Sequence, residues 1–119
     1  MSRNIEVDFM YYDEEYIYCN DRTNTMIEQH RYWHEKFEKL ASESTTTGSF
    51  KYFSPLQIGS RKFRIKKPKN MDPLLSKLVN GEKYRLHCKI VHGKFHNGDQ
   101  TLFGWRITNP EFHEVKDKS

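Results

Sequence analysis

The chain has 119 residues and a formal net charge of +4. That is the size of one ordinary domain with a single core, and its longest apolar runs, only a few residues, exclude a membrane-spanning helix. The charge is unevenly divided. Residues 1–49 carry five Lys/Arg against ten Asp/Glu, a balance of −5, and residues 50–119 carry fifteen against six, a balance of +9. Such asymmetry predicts a polyanion-binding half and an acidic half that faces elsewhere. The start, Met1-Ser2-Arg3-Asn4-Ile5-Glu6, has no apolar signal region, so the chain is expected in the cytoplasm. Cys19 and Cys88 fit no metal spacing and no disulfide framework, and read as two reduced thiols.

Asn4 to Tyr12 alternates, with Ile5, Val7, Phe9 and Tyr11 on one face, and predicts a half-buried strand. Asp13-Glu14 can turn the chain, and Tyr16 to Cys19 reads as a second short strand. Thr25 to Ala41 predicts a helix. Thr25-Met26-Ile27-Glu28 has the capping-box pattern. Met26, His30, Trp33, Phe37 and Leu40 form one stripe. That stripe packs on the sheet or, through Trp33 and Phe37, against a second copy. Ser42 to Ser49 is a polar connection at the change of charge sign. Phe50 to Ile58 is aromatic, and Pro55 makes it an edge or bent strand.

Arg61 to Lys67 is the next strand, with Phe63 and Ile65 on one face and Lys62, Arg64 and Lys66 on the other. Asp72 as N-cap and Pro73 at the first helical position start a short helix through Val79, with Leu74, Leu75, Leu78 and Val79 as its buried side. Asn80-Gly81 ends it. Glu82 to His92 alternates Tyr84, Leu86, Cys88 and Ile90 with Lys83, Arg85, His87 and Lys89. Gly93 to Asp99 reads as a hairpin loop, Gln100 to Thr108 as the return strand, and Asn109-Pro110 as its end. One domain is thus expected over residues 1–110, with a helical insertion at about 25–42 and a charged tail over 111–119.

Two strand faces carry a cation at every second residue, about 6.6 Å apart, a spacing that suits the phosphates of an extended nucleic-acid strand. Lys94 and Arg106 extend the set. From Lys51 to Arg106 there are thirteen Lys/Arg against three Asp/Glu. Aromatic residues interleave with them, and cations beside stacking rings are what single-strand binding requires. Phe63, Tyr84, Phe103 and Trp105 fall on core faces. Phe95 in the expected loop and Tyr52 in the bent strand remain as base-stacking candidates. The expected nucleic-acid site is therefore Tyr52, Lys62, Arg64, Lys66, Arg85, Lys89, Lys94, Phe95 and Arg106.

The order strand, short helix, strand, Asn-Gly hairpin, strand over Arg61 to Thr108 looks like the second half of an OB-fold, in which a helix bridges the third and fourth strands. The fold expected is mainly β: an OB-like five-stranded barrel with one amphipathic helix and one short bridging helix. In size and architecture the chain resembles the small single-stranded-DNA-binding proteins encoded by bacteriophages. That resemblance implies sequence-nonspecific coating of single-stranded DNA, with RNA also open, in replication or recombination of a phage or mobile element; the helix stripe with Trp33 and Phe37 separately predicts a homodimer. Bacterial proteins of this function carry an acidic tail with an apolar tip. This chain ends Glu114-Val115-Lys116-Asp117-Lys118-Ser119, so recruitment of other proteins would fall to the acidic half.

No Gly-rich phosphate loop and no nucleophile elbow is present. His30 and His34 stand four apart, but Arg31 follows His30 where a metalloprotease needs glutamate. No cofactor, no metal and no enzymatic activity are expected. His87, His92 and His96 with Asp99 form the best enzymatic alternative, a nuclease. The other alternative is a protein-interaction module, such as a small viral inhibitor of a host nucleic-acid enzyme, using Asp13, Glu14, Glu15 and Asp21 as a phosphate mimic.

Overall fold

The computed structural model describes residues 2–43, 52–57, 60–97 and 100–115, with the side chains at 41–43, 94–97 and 100–102 left outside the description. The elements are β1 (Ser2–Tyr12), β2 (Tyr16–Asp21), α1 (Thr25–Glu43), β3 (Tyr52–Phe53), β4 (Lys62–Lys66), α2 (Asp72–Leu75), β5 (Lys83–Asn97) and β6 (Gln100–Glu114). Among the described residues the fold is mainly β with two helices, as expected, but the sheet has six strands rather than five, in the order β3-β6-β5-β1-β2-β4. All pairs are antiparallel except β3 with β6.

The sixth strand arises from the bend at Pro55. Before it, Tyr52 and Phe53 pair with Phe103 and Gly104 of β6. After it, Leu56 bridges Phe63 of β4, the Gln57 amide donates to Lys62 O at 2.8 Å, and the Arg64 amide donates to Pro55 O at 3.0 Å. One short segment thus hydrogen-bonds to both outer strands, and the sheet curls around its core. Phe50, Lys51, Ile58 and Gly59, expected in the same strand, lie outside the described residues.

The alternating strands bury the rows their pattern predicts: Ile5, Val7 and Phe9; Ile17 and Cys19; Phe63 and Ile65; Tyr84, Leu86, Cys88 and Ile90; Trp105 and Ile107. Full burial of each such aliphatic side chain stabilises the fold by about 1.5–3 kcal/mol. Tyr11 departs from its row. The β1–β2 register steps from Phe9↔Cys19 to Tyr11↔Tyr18. The skipped residue, Met10, is a bulge, and a bulge swaps the faces of the residues after it. Tyr12 therefore packs on the core, while Tyr11 is 54% exposed on the outside.

Helix α1 starts differently from the capping box. The buried Asp21 carboxylate takes the first-turn amide of Met26 at 3.0 Å and also the Thr23 amide and hydroxyl at 2.8 and 2.6 Å. Met26, Trp33 and Phe37 are buried, but Leu40 at the end of the stripe is exposed. The stripe packs on the chain's own β5–β6 hairpin: Trp33 stacks on His92 at 3.7 Å between centroids, and Phe37 meets Phe103 at 5.5 Å. Trp33 and Phe37, expected between two copies, are thereby only 6% and 4% exposed and offer no surface to a second chain.

The bridging helix is shorter than expected, and Met71 rather than Asp72 stands at its N-cap. The Asp72 carboxylate meets the Lys67 ammonium at 2.8 Å instead. Leu75 is buried and Leu78 half-buried, but Leu74 and Val79 face outward. Gly81, at φ +86°, turns the chain, and its amide donates to Phe9 O at 2.7 Å. The loop expected at Gly93 to Asp99 is strand through Asn97, and residues 98 and 99 lie outside the described residues. Strand β6 likewise runs past Asn109-Pro110 to Glu114, so residues 111–114 are not tail. The proline is absorbed in a bulge: Asn109 has φ +51°, and the pairing jumps from Lys89↔Thr108 to His87↔Glu111. Residues 116–119 lie outside the described residues. Among the described residues no helix is long and apolar enough to cross a membrane.

Candidate functional site

Alternation in β2 points Ile17 and Cys19 inward, so Tyr16 and Tyr18 face outward. The β1 bulge delivers Tyr11 to the same face, where its ring stacks on Tyr18 at 4.5 Å and 22°. On the other side of β2, Arg64 lies opposite Tyr18, and Lys66 opposite Tyr16. The Arg64 guanidinium carbon sits 4.3 Å from the centroid of Tyr16 and 5.8 Å from that of Phe53. Such cation–π contacts are worth about 0.5–1 kcal/mol at an exposed site; here they also hold the guanidinium over the strand. Lys62 and Lys66 flank it, both exposed.

The Asp13 turn braces this platform. One carboxylate oxygen of Asp13 accepts the amides of Glu15 and Tyr16 at 2.8 and 2.7 Å, and the other accepts the Tyr18 hydroxyl at 3.0 Å. The Tyr16 and Glu15 amides hold the Asp13 carboxyl below its usual range, and its hydrogen bond in turn pushes the Tyr18 phenol upward. Pro55, Leu56 and Gln57 form a wall beside the platform. Between wall and strands lies a groove of about 330 Å³, lined also by Tyr11, Tyr18, Lys62 and Arg64. Its rings can stack a planar group, and its cations can neutralise an anion.

The expected basic site is divided. Lys62, Arg64 and Lys66 lie together on β4, but β1 and β2 separate them from β5. Three strand spacings make that about 14 Å along the sheet. Arg85 stands opposite Glu6 of β1, and Lys83 opposite Asp8. Lys89 stands opposite Ser2 and Thr108, and Arg106 opposite Val91. Lys94 and Phe95 belong to β5 rather than to a loop, and their side chains lie outside the described residues.

Tyr52 is no stacking platform. Its hydroxyl donates to His30 O at 2.8 Å and accepts the indole N–H of buried Trp105 at 2.8 Å, and its ring packs beside His30, His34 and Phe37. Burial pushes its phenol up to about 12.

The alternatives lose parts as well. Asp21 is fully buried at the helix start and cannot join an acidic face. His92 stacks on Trp33, whereas His87, five residues away and on the opposite face of β5, bonds Asn4 Oδ1 at 2.8 Å. Asp99 and the His96 side chain lie outside the described residues. Among the described residues no three His, Cys, Asp or Glu are placed to hold a metal ion.

Tyr11, Tyr16 and Tyr18 escape a reading by charge because they lie in the acidic half. For two of them a signal was present: the alternation Tyr16-Ile17-Tyr18-Cys19 puts both tyrosines on the face away from the core. Tyr11 depends on a bulge that its sequence does not announce. No protein-family model, no curated protein and no solved structure matches this chain.

Proposed function

We propose that the chain binds single-stranded nucleic acid along the outer face of β2 and β4. The observation that carries this reading is the groove in which the Tyr11–Tyr18 stack lies beside Arg64 and Lys62. Bases of a single strand are free to stack on such rings, at about 1–3 kcal/mol each, and phosphates meet the lysines. A duplex hides the faces of its bases from them.

The strand order supports a finer reading as an OB-like barrel with an added strand. β1, β2 and β4 follow one another across the sheet, β5 returns beside β1, and α2 bridges β4 and β5. In that architecture the second and third strands form the oligonucleotide face. Here those are β2 and β4, the strands that carry the platform.

Titrating a fluorescent single-stranded 30-mer into variants tests the location. Tyr18→Ala and Lys62→Ala each weaken binding about five- to tenfold, consistent with the loss of one stacked base or one phosphate contact. Arg85→Ala changes it less than twofold, because Arg85 lies on β5, beyond β1 and β2, and opposite Glu6. The reverse ranking would move the site to β5 and overturn the assignment to β2 and β4.

A further inference from the structure

Arg64 differs from the two lysines beside it. Lys62 and Lys66 are exposed and stand at either side on the same strand. Arg64 is half-buried, held against the Tyr16 ring and approached more distantly by the Phe53 ring. Among the described residues no carboxylate pairs with it and no hydrogen bond occupies its guanidinium. A planar five-donor fork is thus fixed by ring contacts while its donors stay available at the groove.

Spacing assigns the three cations different tasks. Lys62 and Lys66 stand four residues apart, about 13 Å along the strand, which spans about two phosphate steps of an extended chain. Two bases lie between those phosphates, and one of them would stack on Tyr18, whose cross-strand neighbour is Arg64. A guanidinium beside a stacked base meets its edge, and the edge that matches two parallel N–H donors is O6 and N7 of guanine.

Building on the single-strand reading above, we propose that the groove prefers guanine, with Arg64 as the specificity-determining residue: its fork donates to O6 and N7 of a guanine stacked on Tyr18, while Lys62 and Lys66 hold two phosphates that lie two steps apart and bracket it.

The test uses the full chain and thymidine oligomers of about eleven nucleotides with one central guanine, adenine or 7-deazaguanine, read by fluorescence anisotropy. The last probe keeps O6 and lacks the N7 acceptor. The wild-type chain binds the guanine oligomer roughly five- to hundredfold tighter than the other two, the range of one bidentate pair. Arg64→Lys keeps the charge and removes the fork, so it erases that preference, lowering affinity for the guanine oligomer more than for the adenine or 7-deazaguanine oligomer. Equal wild-type affinity for all three oligomers overturns the guanine assignment and leaves strand binding standing. So does a loss in Arg64→Lys that is the same for every oligomer, which would make Arg64 a phosphate contact. Binding to none of them is a different failure, that of the single-strand reading itself.

Discussion

At the scale of single residues, polar partners decide which side chains remain available to a ligand. Tyr52 spends its hydroxyl on His30 O and on the Trp105 indole. Tyr52→Phe leaves that indole N–H buried without a partner, and we expect a loss of about 1–3 kcal/mol in urea unfolding. Binding of a single strand should stay unchanged, and a binding loss without a stability loss would return Tyr52 to the interface. Asp21 is a second such residue. It accepts the first-turn amide of α1 from a fully buried position, so Asp21→Ala should cost about 1–2 kcal/mol, the usual worth of a helix cap.

His30 sets a pH dependence. Burial first, then the neighbouring His34, lowers its pKa below the ordinary 6.5. In acid the unfolded chain therefore binds a proton that the folded chain resists, so stability is full above 6.5 and is lost as pH falls through and below it. Thermal unfolding across that range checks the sign, and His30→Gln should flatten the profile. A midpoint rising as pH falls below 6.5 would contradict it.

At the scale of elements, the decisive contact is β3 on β6. A Cβ at Gly104 would stand 2.5 Å from Phe53 O, a backbone atom that cannot yield without moving the strand. Gly104→Ala should therefore displace β3 and destabilise the fold by about 1–3 kcal/mol, as overpacking does. Chemical denaturation measures this, and an unchanged midpoint would mean that β3 is not seated on β6.

Much at this scale was legible in the sequence: period-2 rows located β1, β2, β4, β5 and most of β6, and the 3.6-residue stripe located α1. Legibility failed where long-range partners overrode local signals. Gly93 to Asn97 reads as loop and Asn109-Pro110 as a strand end, yet β5 and β6 pair through Asn97 and to Glu114, because the long ladder supplies bonds that local loop preference cannot match. The platform was half legible. The β4 row was in the pattern, but its neighbour across the sheet is set by strand order, which no local spacing encodes.

For the whole molecule, strand order converts two basic rows into one candidate site. Had β4 and β5 been neighbours, their cations would have formed a single stripe. With β1 and β2 between them, β5 faces the acids of β1, and β4 faces the tyrosines of β2. The division of charge along the sequence is thus not the division of charge across the surface. Acidic Asp13, from the negative half, braces a tyrosine of the proposed interface.

Single-strand binding is the property on which the proposed roles of Tyr18, Lys62 and Arg64 all depend. It is measured most directly by titrating the wild-type chain with a mixed-sequence single strand of about 30 nucleotides and with the matching duplex, at two salt concentrations. The expected outcome is binding that quenches tyrosine emission, favours the single strand, and weakens with salt by a log–log slope of about 1.4, the value for the two β4 lysines that would meet phosphates. Equal or tighter binding to the duplex, or none to the single strand at low salt, would contradict it.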